Sequence, residues 1–206
     1  MPDVPVGRWS LRHRRALRAA AVTCTFALTA AAPAAADTQI LTGPSQSSVQ
    51  SIFSPSGGHD DAIAVGDCLT GGEWRLLVKF DVAGNPLPPG ATITSATVRT
   101  RYFAMHPSGG DPAEVGLHRQ FTAWNSSATW LTPDGINEWV GGYPEYGYPE
   151  WPTSTAGGFI YWDVTNLGLG EDPGGYMISL PYGDGCVAVH GLTADYPPAL
   201  IIEYDT

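Results

Sequence analysis

Basic side chains are scarce in this 206-residue chain, where ten Lys and Arg stand against twenty Asp and Glu. Half of the ten are the arginines at positions 8, 12, 14, 15 and 18. Without that N-terminal segment, Arg75, Lys79, Arg99, Arg101 and Arg119 remain against nineteen acidic residues, a net charge of about −14 from five minus nineteen. A surface of that sign repels nucleic-acid phosphates, so no nucleic-acid partner is expected, and it has no attraction for anionic membranes. Beyond the N-terminal segment, no apolar run approaches the ~20 residues a membrane span needs. HExxH, CxxC and GxSxG are all missing, and His59, His106, His118 and His190 are scattered without ligand spacing. The sequence therefore gives no support to a zinc enzyme or to a serine hydrolase built on a nucleophile elbow. Helical periodicity is nearly absent after residue 36.

What the N-terminus has is a charged segment, then an alanine-rich apolar run closing on Ala34-Ala35-Ala36. This is the pattern of a secretory signal peptide over residues 1–36, with cleavage after Ala36. Arg14-Arg15 fits a twin-arginine leader, and an ordinary Arg-rich leader shares the pattern. The expected mature chain, 37–206, has the size of one domain, and no Gly/Ser/Pro-rich linker divides it. Cys24 lies in the leader, so an exported protein keeps Cys68 and Cys186, whose simplest state is one disulfide. Closing a 118-residue loop stabilises a fold by about 4 to 5 kcal/mol in the chain-entropy account. Two buried free thiols are the alternative.

Short alternating runs, punctuated by 25 glycines and 18 prolines, supply the fold signal. In RLLVKFDV, Leu76, Val78, Phe80 and Val82 share a face opposite Arg75, Lys79 and Asp81, as in a half-buried strand. In ITSATVRTRYF, Ala96, Val98, Thr100 and Tyr102 oppose Thr97, Arg99, Arg101 and Phe103. AGNPLPPGAT between them is a turn or loop. Further strands are expected at 49–53, 62–66, 114–121, 158–165, 176–181, 186–191 and 199–204. Eight to ten short strands without a helix define an all-β antiparallel sandwich.

The order LLVKFDV, LPPGATITSATVR, LHRQFTAWNSSATW, WDVTNL, YPPALIIEY resembles the DNRLRE domain, a secreted bacterial family grouped with carbohydrate-binding modules. The resemblance runs from about residue 45 to the end and is most specific at 87–99. It implies a β-sandwich of the jelly-roll kind and a polysaccharide ligand. Two features depart from the family pattern: TAWNSSATW carries Asn125, Ser126 and Ser127 where an acidic residue is usual, and the segment after Trp130 is longer and richer in aromatics.

That segment includes WVGGYPEYGYPEW (139–151). Sugar rings stack their C–H faces on flat aromatics, and rings with two torsions lose little entropy when they do so. Trp139, Tyr143, Tyr146, Tyr148 and Trp151 are therefore candidate ligand contacts, with Glu145 and Glu150 as hydroxyl acceptors. The competing reading folds the loop over one sheet and buries its rings as a satellite core. Trp124, Trp130 and Trp162 are read as core. Arg99 and Arg101 are candidate contacts for an acidic polysaccharide; with Arg75 and Lys79 they form one basic stripe if the two strands are neighbours, as their short connection suggests. Cross-strand pairing with acids is the alternative use of these cations. Adjacent Asp60 and Asp61 are the candidate ligands for a structural calcium, the one cofactor the sequence raises.

A secreted, non-catalytic carbohydrate-binding protein is the expected function. An extracellular structural or protein-interaction module is the alternative from another class. A glycan hydrolase or lyase is the third, although nineteen acids place some pair at catalytic spacing by chance.

Overall fold

A computed structural model describes residues 36–42, 45–50, 62–68, 72–105, 109–139, 149–167, 174–180 and 185–206. Ten strands account for most of them: β1 Asp37–Thr42, β2 Ser45–Gln50, β3 Ala62–Cys68, β4 Gly72–Lys79, β5 Thr92–Met105, β6 Gly116–Arg119, β7 Phe159–Asp163, β8 Tyr176–Ser179, β9 Cys186–His190 and β10 Ala199–Asp205. Two short 3-10 turns, Pro112–Glu114 and Ala156–Gly158, are the only helical elements among the described residues. Every strand pair is antiparallel. The expected all-β antiparallel class is thus observed.

The pairing forms two sheet regions joined through β5. One runs β1, β10, β5, β7; the other runs from the end of β5 through β9 and β3 to β4, which also carries β2 and β8, with β6 on β8. Residue registers show how β4 is shared. Trp74 is opposite both Gln50 and Gly66, and Leu76 is opposite both Ser48 and Ile178. A strand has two edges, so β2 takes one, while β3 and β8 divide the other.

Alternation explains the core. Ala96 and Val98 of β5, Ile160 and Trp162 of β7, and Leu200 and Ile202 of β10 point inward from the first region. Ile63, Val65, Leu76, Val78, Ile178, Val187 and Val189 meet them from the second in one continuous cluster. Each such aliphatic side chain contributes about 1.5 to 3 kcal/mol on burial. Trp162 is buried as expected, and its indole N–H donates to the Val115 carbonyl at 2.9 Å, so the largest core residue leaves no polar atom unsatisfied.

Two expectations change, and one strand is new. β4 is not half-buried: Leu77 on its second face is covered, with Met177 of β8, by Trp124, Ala128 and Trp139 from the 121–139 loop. The 80–91 connection does not make β4 and β5 neighbours; they are separated by β3 and β9, because the connection passes from one sheet region to the other. β1 was not anticipated, since DTQILT holds only two apolar residues and, among the described residues, pairs along one edge alone.

The disulfide joins Cys68 to Cys186, with their Cα atoms 5.0 Å apart. It ties the end of β3 to the start of β9, next to the opposed pair Gly66 and Cys186. Gly66 has φ of 105°, and a Cβ there would lie 2.4 Å from the Gly185 carbonyl oxygen. Only glycine fits both the backbone conformation and the space.

Candidate binding face on β5 and β7

The alternation that sends Ala96, Val98 and Thr100 inward sends Thr97, Arg99 and Arg101 outward. On β7 the outward residues are Phe159, Tyr161 and Asp163. The register sets Arg101 opposite Phe159, Arg99 opposite Tyr161, and Thr97 opposite Asp163. Two cations, two rings and one carboxylate thus share a small area of sheet.

The 191–198 loop adds another ring. Tyr196, 46% exposed, meets Phe159 edge-on at 5.9 Å between centroids and lies 6.3 Å from the ring of His190. Phe159 also contacts Tyr161 at 6.1 Å. The Arg99 guanidinium lies 4.9 Å from the Phe159 centroid, and that of Arg101 lies 4.4 Å from Tyr196 and 5.9 Å from Phe159. Contacts of this kind are each worth about 0.5 to 2 kcal/mol, depending on hydration. They hold the planar cations in place without using their N–H donors.

Among the described residues those donors have few acceptors. Among the described residues no carboxylate lies within ion-pair distance of Arg99 or Arg101, and the buried Arg99 Nε has no hydrogen-bond partner. Arg75 differs: its Nε donates to Glu73 Oε1 at 2.7 Å, beneath the Trp130 ring at 4.3 Å. The single stripe of four cations therefore does not form. Arg75 is a buried, paired residue on β4, and Arg99 and Arg101 constitute a separate pair on β5.

Of the 139–151 aromatics, Trp139 departs from the ligand-contact expectation. It is 2% exposed, packs in the cluster with Leu77 and Met177, and donates its indole N–H to the Thr129 carbonyl at 2.9 Å. The satellite-core reading holds for this ring. Trp124 is in the same cluster and donates to the Gly174 carbonyl, with Trp130 packed partly buried against it. Replacing Trp139 with alanine is expected to cost about 3 to 5 kcal/mol of stability, measured by urea unfolding; a change under 1 kcal/mol would contradict this packing.

Trp151 is 52% exposed. It lies on a strap, 149–154, that pairs with β6 through Leu117 and Glu150 (2.9 and 2.7 Å) and with β7 through Thr153, Ser154 and Tyr161 (2.8 and 2.9 Å). The strap seats closely because Gly116 has no side chain: a Cβ there would lie 3.0 Å from Pro149 Cβ and 3.8 Å from the Trp151 ring. Ser154 is three residue steps beyond Trp151, about 10 Å of extended chain, and is bridged to Tyr161. Glu150 is exposed on this strap.

Tyr143, Glu145, Tyr146, Tyr148, Asp60 and Asp61 lie outside the described residues. Among the described residues, no group of three or more His, Cys, Asp or Glu is arranged to hold a metal, and no helix is long and apolar enough to cross a membrane. Phe159 and Tyr161 were missed as site residues although their signal was present, because the alternation in FIYWD that buries Ile160 and Trp162 must turn them outward. Tyr196, in a loop, has no such signal. Compared with known proteins, the chain matches no family model and no curated sequence.

Proposed function

We propose that the protein is a secreted, non-catalytic carbohydrate-binding module whose ligand is an acidic polysaccharide. The observation that carries this reading is the Arg99–Arg101 pair: two adjacent guanidinium groups, supported by aromatic rings, have no ion-pair partner among the described residues of a strongly acidic chain. Planar guanidinium forks recognise carboxylate or sulfate groups. The exposed rings of Tyr196 and Trp151 offer faces for the sugar C–H surfaces. The resemblance to the DNRLRE domain, with its jelly-roll sandwich, supports the same class, and the disulfide suits an extracellular setting.

The test is depletion of the protein from solution by insoluble or gel-bound polysaccharides, acidic and neutral, with the supernatant assayed for released oligosaccharide. Retention on acidic glycans, weakened by salt, without chain cleavage is expected. Equal retention on neutral glycans would remove the role of the arginines, and no retention on either would end the reading.

A further inference from the structure

Asp163 lies on the same outer face as Arg99, two residue pairs along the β5–β7 ladder and opposite Thr97. Diagonal neighbours across antiparallel strands are about 7 to 8 Å apart at the backbone, well within the length of an arginine side chain. A carboxylate so placed is a natural partner for Arg99, but the pair does not form. Asp163 Oδ1 instead accepts two hydrogen bonds from Thr165, from the backbone N–H at 2.9 Å and from Oγ1 at 2.6 Å.

The hydroxyl is itself fixed. Thr165 Oγ1 accepts the backbone N–H of Ala96 at 2.9 Å, while the Val164 N–H donates to the Ala96 carbonyl at 2.8 Å. A hydroxyl has one proton, and the contact with Asp163 uses it. The direction of the chain is therefore set: Ala96 N–H to Thr165, Thr165 O–H to Asp163.

We infer that Thr165 is a positioning residue that keeps the arginine pair open to ligand by holding Asp163 away from Arg99. This deepens, and rests on, the acidic-glycan reading. Asp163 is the internal competitor of the ligand carboxylate, and Thr165 restrains it. The same two hydrogen bonds lower the Asp163 carboxyl below its ordinary range, the hydroxyl being the larger cause. Release removes that lowering, but an ordinary aspartate is already ionised at neutral pH, so a released Asp163 can still compete.

The experiment is calorimetric titration of the full chain with an oligogalacturonate of defined length, with the thermal midpoint of each variant recorded. Thr165→Val is expected to weaken binding about two- to fivefold, the scale of an exposed ion pair. Thr165→Ser retains wild-type affinity. Asp163→Asn binds at least as tightly as wild type, and Thr165→Val combined with Asp163→Asn returns to the Asp163→Asn level. Asp163→Glu supplies a second route that leaves the Ala96–Thr165 bond in place: its longer arm escapes the clasp, reaches Arg99 and weakens binding. Unchanged affinity in Thr165→Val and Asp163→Glu, failure of the double variant to recover, or weaker binding by Asp163→Asn would each overturn the inference while leaving the binding reading intact. If wild type does not bind the probe, the binding reading and the inference fall together.

Discussion

Replacing Arg99 and Arg101 together by alanine is expected to abolish retention on acidic polysaccharide while moving the thermal midpoint by only a few degrees. A hydrogen bond to a charged group contributes about 1.5 to 3 kcal/mol, so loss of both cations should weaken binding by roughly 100-fold or more. The cost to stability is small because neither guanidinium is in an ion pair among the described residues. What is lost is ring contact, about 0.5 to 1 kcal/mol for each of these partly exposed arginines, or about 2 to 4 °C per kcal/mol in a domain of this size. Arg99→Lys with Arg101→Lys separates charge from shape, since lysine keeps the attraction and loses the planar fork and its stacking. About tenfold weaker binding in the lysine variant is expected. Titration calorimetry and thermal melts on the same samples decide the matter: a fall in midpoint beyond 10 °C with intact binding would make the pair structural.

The second large effect concerns the link between Cys68 and Cys186. Changing both to alanine releases a loop of 118 residues in the unfolded chain and is expected to remove about 4 to 5 kcal/mol. At about 2 to 4 °C per kcal/mol, the midpoint should fall by roughly 10 to 20 °C. Both cysteines are buried, so the protein should resist mild reductant until it is partly unfolded. Urea unfolding with and without reductant measures the difference directly. A loss below 1 kcal/mol would mean that the open chain stays compact enough to gain little from the crosslink.

How far the sequence displayed all this depends on the range of the signal. β5 and β7 were legible because alternation is local, and each residue on such a strand has its side decided by its neighbours. The second buried face of β4 was not legible, because Leu77 is covered by residues about fifty positions later, Trp124, Ala128 and Trp139. Trp139 and Trp151 bound the same aromatic motif and have opposite fates, one in the satellite core and the other exposed on a strap seated against Gly116. Ring type does not distinguish them; the hydrogen-bonded surroundings do. The partition of the cations followed the same rule. A short connection between β4 and β5 suggested adjacency, but chain length between strands constrains their distance and not the sheet region each joins.

The fourteen-residue β5 has a further consequence for assembly. Its two arginines face partners that arrive much later in the chain: Phe159 is 58 positions beyond Arg101, and Ala199 is 100 beyond Arg99. Contacts of such long range are slow to form because loop closure precedes any gain from pairing. β5 is therefore translated well before its partners and completed late, so the proposed ligand face is expected to form only in the last stages of folding.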